Sequence, residues 1–195
     1  MLEKNDNRMV MLFGIVMIIS VVGVIQGGPP SAAAPTAPTS GKYELQSGQL
    51  SLTSTGTENS EKVYNVSLNY TNIVSVSVTL TWTDEANADS RHTNTPDTLG
   101  ATVKSPEGEE KNGQDTKSQG SVNVKYNFTV TEKTVTQKTS KRGMGGWEVA
   151  VNVGTCGDQE PLIPDILGFR TIADSGNAYE VQISFQYYAK AKGGK

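Results

Sequence analysis

Four carboxylates border one polar stretch of the sequence: Asp84, Glu85, Asp89 and Asp97 flank or lie within the segment from Asp84 to Pro96. Hard oxygen donors carried on a loop are what a calcium ion takes, so these four are the candidate calcium ligands, and no other cofactor is indicated. Their spacing is neither that of an EF-hand nor that of a Gly-Asp nonapeptide repeat, and ordinary solvated surface charge is the competing reading. The chain holds one histidine, His92, and one cysteine, Cys156. A Cys-His nucleophilic pair or a Ser-His-acid triad would rest entirely on His92, and no Gly-x-Ser-x-Gly elbow is present. One His and one Cys also fall short of the four ligands of a structural zinc site unless carboxylates supply the rest. The expectation is a protein without enzymatic activity, in which His92 is a solvated loop side chain and Cys156 an incidental small thiol. A lone cysteine excludes any disulfide within the chain.

Three glycosylation sequons occur, Asn65-Val-Ser, Asn69-Tyr-Thr and Asn127-Phe-Thr. In a chain this rich in Ser and Thr their number alone proves nothing, but Asn65, Asn69 and Asn127 all fall on the polar phase of alternating segments and are expected to point outward. Trp82 and Trp147 continue apolar series and are expected in the core rather than on a ligand platform. Phe169 is the loop aromatic that a carbohydrate-binding reading would need.

The elements that position these groups are strands. Tyr64, Val66, Leu68 and Tyr70 alternate with polar residues, and Val74, Val76, Val78, Leu80 and Trp82 form the cleanest period-two run in the chain. Val122 to Val130, Trp147 to Val153 and Tyr179 to Tyr187 repeat the pattern, with weaker strands at Tyr43 to Gln46, Leu50 to Thr55 and Leu99 to Lys104. Residues 42–195 are therefore expected to form an all-β domain, an antiparallel β-sandwich of jelly-roll or immunoglobulin-like type. No helix is expected after residue 41, because no stretch has helical periodicity and β-branched residues abound. The long connections Asp84 to Pro96, Glu107 to Gly120, Glu132 to Gly146 and Thr155 to Ser175 are expected to carry any functional contacts. The Tyr187-Tyr188 pair and the lysine-rich end are expected to fray.

Ahead of this domain, Met9 to Ile25 is apolar on every side, as a membrane-crossing helix is and an amphipathic one is not. Roughly 17 residues rising about 1.5 Å each reach about 25 Å, and uncharged Gln26 to Gly28 extend the span, so residues 9–28 are read as a transmembrane helix or uncleaved signal anchor. Lys4 and Arg8 precede it and keep residues 1–8 cytoplasmic by the positive-inside rule, leaving the C-terminal domain extracytoplasmic on a single-pass anchor in the cell membrane. A cleaved signal peptide ending near Ser31-Ala32-Ala33 is the alternative. Residues 29–41 form a Pro/Ala-rich stalk, extended in polyproline fashion. The net charge of -3 is not gathered into blocks, which argues against a nucleic-acid partner.

The run LTWTDE around Trp82, then NTPDTLGATVKSPEG and GGWEVAVNVG, resembles the jelly-roll P domain of proprotein convertases and, more loosely, prepeptidase C-terminal domains. The matching positions are Asp97 and Leu99 with Thr98 between them, Ser105-Pro106-Glu107-Gly108, and Gly145-Gly146-Trp147, covering about half of the β domain. The resemblance implies an accessory, non-catalytic module acting alone or in trans. Together these readings point to a membrane-anchored surface or envelope module that contacts a protein partner in or at the membrane, or alternatively to a carbohydrate- or small-ligand-binding jelly roll.

Overall fold

A computed structural model of the chain describes residues 43–163, 170–174 and 176–191. Residues 1–8, the expected transmembrane helix at 9–28, the stalk at 29–41 and Phe169 lie outside the described residues. Among those described, no helix is long and apolar enough to cross a membrane.

The described residues form strands β1 (Tyr43–Thr57), β2 (Ser60–Leu68), β3 (Ile73–Thr83), β4 (His92–Asn94), β5 (Thr98–Lys104), β6 (Glu110–Thr116) and β7 (Gln119–Asn127). A one-and-a-half-turn helix α1 (Glu132–Gln137) follows, then β8 (Gly145–Val153), β9 (Gln159–Pro161) and β10 (Gly176–Lys190). Setting aside the short β4–β9 ribbon, the first strand pairs with the last, β2 with β8, β3 with β7, and β5 with its neighbour β6, every pair antiparallel. The chain is thus one long antiparallel ribbon rolled upon itself, and the contacts β10–β3 and β8–β5 close the roll into two sheets ordered β1-β10-β3-β7 and β2-β8-β5-β6. Of the two expected architectures this order is the jelly roll; an immunoglobulin sandwich distributes its strands differently.

Period-two alternation places one row of each strand between the sheets. Val76, Val78 and Leu80 of β3 and Ile183 of β10 meet Val103 of β5 and Val149 of β8, all at 1% exposure or less and all in one cluster. Each such side chain contributes about 1.5–3 kcal/mol by leaving water. Trp147 sets the middle of the core: its ring stands edge-on to Tyr126 at 5.0 Å and Phe128 at 6.5 Å, while its indole N–H donates to the Gly143 carbonyl at 2.9 Å. The buried Tyr126 hydroxyl lies 2.5 Å from the Val103 carbonyl in the opposite sheet, so its polar end is satisfied rather than stranded. Both tryptophans are buried, as their alternation predicts.

Several expectations need correction. The two weak N-terminal strands are a single strand, because Gly48 is a close-packing position rather than a turn: a Cβ there would fall 2.2 Å from Cζ of Phe185. Within the expected loop Glu107 to Gly120 lies β6, a strand without one apolar residue, whose inward positions are Lys111, Gly113 and Asp115. Lys111 sets its ammonium 4.4 Å from the centre of the Tyr126 ring, and Gly113 leaves room for Val122. Helix α1 was not expected; Thr131 and Thr134 form a reciprocal capping box that starts it, and Val135 anchors it in the core. Tyr187 and Tyr188 do not fray but lie within β10, opposite Gln46 and Leu45 and half-buried against the core. Tyr70 stands beyond the end of β2, 40% exposed, with its ring 4.6 Å from that of Tyr187.

Gly120 gives a test of this packing. A Cβ on Gly120 would lie 1.9 Å from Trp82, whose indole N–H is held by the Lys117 carbonyl at 3.0 Å, whereas a Cβ on Gly146 meets nothing within 4 Å. Gly120→Ala is expected to cost about 1–3 kcal/mol by overpacking. Gly146→Ala should stay within about 0.5 kcal/mol of wild type. Equal urea midpoints for the two variants would contradict the described position of Trp82.

Candidate functional site

The pairing of Trp82 with Tyr179 puts the exit of β3 beside the entry of β10. Asp84 and Glu85 leave that exit, and Asp174 approaches that entry, so the ladder brings together carboxylates far apart in sequence. One oxygen from each of Asp84, Glu85 and Asp174 lies within 4.8 Å of the others. Asp84 is 7% exposed, Asp174 is half-buried and Glu85 is exposed. The Asp84 backbone N–H donates to the Ser118 carbonyl at 2.8 Å, and its Oδ1 accepts from Asn94 Nδ2 at 2.7 Å. Its other oxygen, Oδ2, is buried with no partner, as are Asp174 Oδ2 and Asn94 Oδ1.

The surrounding amides are already committed to holding the loop. Asn94 Nδ2 also donates to the Glu85 carbonyl at 2.8 Å, and Gln159 of β9 accepts from the Ala88 backbone and donates to Glu85 Oε1 at 3.3 Å. Among the described residues the ion pairs join Asp89 to Arg91 and His92, Glu109 to Lys111, and Asp115 to Lys117; Asp84, Glu85 and Asp174 enter none of them. Burial, reinforced by the negative charges of Asp97 and Glu85, pushes the Asp84 carboxyl up to about 7 against the pull of Asn94.

Of the four carboxylates marked in the sequence, the structure gathers Asp84 and Glu85 and assigns the other two elsewhere. Asp89 Oδ2 takes the Arg91 guanidinium at 2.6 Å and Oδ1 takes His92 Nδ1 at 2.8 Å, and these contacts, Arg91 foremost, hold it below the usual carboxylate range. Asp97 is fully buried, its oxygens accepting from the Gly157 backbone N–H at 2.7 Å and from the Asn177 amide, so it staples the start of β5 to the start of β10. Sequence reading missed Asp174, whose membership is set by strand pairing and has no local signal.

His92 is not a solvated loop side chain: it is 6% exposed. Nδ1 meets Asp89 and Nε2 lies 3.1 Å from the Arg170 carbonyl. With an acceptor at both nitrogens the charged imidazolium is favoured, and the Asp89 hydrogen bond raises its pKa against the cost of burial. Cys156 is buried as well, and burial, together with the charges of Asp174, Asp97, Glu58 and Glu85, pushes its thiol up to about 11, the reverse of nucleophile activation.

A second feature lies on the outer face of the β2-β8-β5-β6 sheet. Two cross-strand rows run over β6, β5 and β8, Gln114, Gly100 and Asn152, and Asn112, Thr102 and Ala150; beside them Thr116 pairs with Thr98, whose carbonyl accepts from the Gly154 N–H just past β8. Gly100 has no side chain, so Gln114 and Asn152 flank a hollow about 10 Å across, two strand spacings, with a volume of about 310 Å³. Its rim is amide and hydroxyl, without a charged or aromatic residue. The three sequon asparagines, Asn65, Asn69 and Asn127, are all exposed.

No protein-family model matches the chain, and no curated protein matches it. Among solved structures, TmCBM61 in complex with beta-1,4-galactotriose aligns with 76% of this chain and 88% of its own at 9% identity, with a TM-score of 0.29. The infectious bursal disease virus Gx strain structure aligns with 85% of this chain at 12% identity and a TM-score of 0.31, and the Gt strain structure with 86% at 11% and 0.26. This chain spans 42% and 41% of those viral chains. At such scores the alignments carry no argument, and the architecture rests on its own strand order.

The raised Asp84 carboxyl fixes a pH dependence. Between its unfolded value of 3.8 and about 7 the folded state holds a proton that the unfolded state has released, so stability falls as pH rises through that window. In calcium-free buffer with a chelator, thermal melts are expected to drop from pH 5 to pH 8, and Asp84→Asn is expected to flatten the profile, leaving the loss that His92 adds in the same direction. A wild-type and Asp84→Asn pair with parallel profiles would refute this assignment.

Proposed function

We propose that the jelly roll is a non-catalytic recognition module whose contact surface is the outer face of the β2-β8-β5-β6 sheet, and that it takes a neutral, hydroxyl-rich ligand of the carbohydrate class. The observation that carries this reading is the glycine-floored hollow between Gln114 and Asn152. Among the described residues neither amide has a protein partner, and each offers both donors and an acceptor, the complement that sugar hydroxyls require. The uncharged rim gives no purchase to phosphate or nucleic acid. Display outside the cell follows from reading Met9 to Ile25 as a membrane anchor, with glycans at Asn65, Asn69 and Asn127 compatible with their exposure.

A second reading, contact with a protein partner in or at the membrane, is favoured by a different observation. Leu162, Ile163 and Ile172 stand 61%, 53% and 42% exposed near the β4–β9 ribbon, an aliphatic set of the kind partner surfaces cover. The jelly roll then acts as an accessory subunit, and replacing Leu162 and Ile163 with Asp would release the partner from detergent extracts.

The two readings separate by experiment. On an oligosaccharide array the full-length chain is expected to bind a defined glycan set, and Gln114→Ala and Asn152→Ala are each expected to weaken binding about tenfold, the loss of roughly one net hydrogen bond, with unchanged melting temperature. A silent array, or variants that bind like wild type, would remove the carbohydrate reading and leave the protein-contact one.

A further inference from the structure

We propose that Asp84, Glu85 and Asp174 form a calcium-binding site that ties the segment leaving β3 to the segment entering β10. The site is independent of the hollow on the outer sheet face.

Three observations converge on it. The first is donor chemistry: all three groups offer carboxylate oxygens, and no sulfur or imidazole is among them, which selects a hard cation over a transition metal. The second is spacing. Oxygens bound to one calcium ion at about 2.4 Å can stand at most about 4.8 Å apart, and the three lie within that distance of one another, close enough to share one ion. Magnesium demands a near-ideal octahedron and gives up its water shell reluctantly, so it is the poorer fit to three carboxylates carried on loops.

The third is the buried oxygen. Asp84 is 7% exposed, its Oδ1 is taken by Asn94, and its Oδ2 is sealed from water with no hydrogen-bond donor. A buried carboxylate oxygen left so costs free energy unless something positive meets it, and buried polar atoms are nearly always satisfied. Asp174 Oδ2 and Asn94 Oδ1 repeat the pattern beside it. No ammonium or guanidinium among the described residues forms an ion pair with any of the three carboxylates. A dication bound by three carboxylates would leave about one negative charge, which solvent at exposed Glu85 accommodates.

The loop is already shaped to present these oxygens. Asn94 holds both Asp84 and the Glu85 carbonyl, Gln159 holds Glu85 and Ala88, and Asp174 is fixed by its backbone N–H on Asp158 Oδ1 at 3.1 Å and by Gly176 N on its own Oδ1 at 3.1 Å. In both aspartates one oxygen is spent on protein donors and the other is left over.

The test is calcium chloride itself, added to the full-length chain after chelator treatment and dialysis at pH 7.5. Calorimetry is expected to show one saturable site, and calcium at a hundredfold excess over its Kd should raise the melting temperature by about 5–10 °C. Magnesium at the same concentration should give less than a third of that shift. Asp84→Asn and Asp174→Asn are each expected to lose at least tenfold in calcium affinity, while Asp115→Asn, whose carboxylate pairs with Lys117, keeps the wild-type response. Asp84→Asn should melt higher than wild type in chelator, which separates loss of the ion from loss of the fold. If Asp84→Asn cannot be folded, Glu85→Gln and Asp174→Asn carry the test. A wild-type chain that gives no calcium heat and no shift, equal shifts with both cations, or Asp variants that respond like wild type would each overturn the proposal, and the three carboxylates would then share a proton.

Discussion

Side chains alternate from one face of a strand to the other, and a sandwich can keep only one face of each sheet dry. Everything else in this molecule depends on that phase being held without a slip around the whole roll. The constraint is collective, because β10 and β8 each have two partners and a displacement of either would turn residues such as Val181 or Val149 toward solvent along with their neighbours. The irregularity in the ladder between β10 and β3 falls at Gln186 and Tyr187, near the strand end, where it leaves the central pairs in phase.

The same pairing fixes the acidic loop. Strand pairing rather than nearness in sequence brings Asp84 and Asp174 together; each is carried to the same edge by the Trp82–Tyr179 rung. Once there, burial raises the cost of charge, and the structure offers amide donors to only some of the carboxylate oxygens. The hollow on the outer sheet face arises differently, from an absence: Gly100 is flanked by amide-bearing residues on both neighbouring strands, so a flat pleated surface acquires a depression.

Where the alternation was strong the strands were legible in advance: Val76 to Trp82, Val122 to Val130, Trp147 to Val153 and Tyr179 to Phe185 all turn their apolar residues inward as their spacing predicts. Legibility failed where another interaction replaced apolar burial. Strand β6 packs through the ammonium of Lys111 on the Tyr126 ring and the bareness of Gly113, and neither has a hydrophobic signature. Gly48 reads as a breaker in sequence, yet it is the bed for the Phe185 ring. The acidic site was half legible. Asp84 and Glu85 are adjacent and announce themselves, whereas Asp89 looks equivalent but is claimed by Arg91 and His92, and Asp97 by backbone and amide donors inside the core. Partner choice among carboxylates is a three-dimensional property, and Asp174 could enter only through the fold.

The outermost pair of the roll has a mechanical meaning. Tyr43 stands opposite Lys190 and Thr57 opposite Gly176, so the first and last strands lie side by side with Tyr43 and Lys190 at one end of their ladder. A force drawn between Tyr43 and Lys190 would meet those hydrogen bonds one rung at a time and unzip them, instead of loading all of them together in shear. A pull taken between Tyr43 and the opposite end of β10 would run along the strands and meet the whole ladder at once. How firmly this jelly roll resists traction is therefore set by where on it the load is attached.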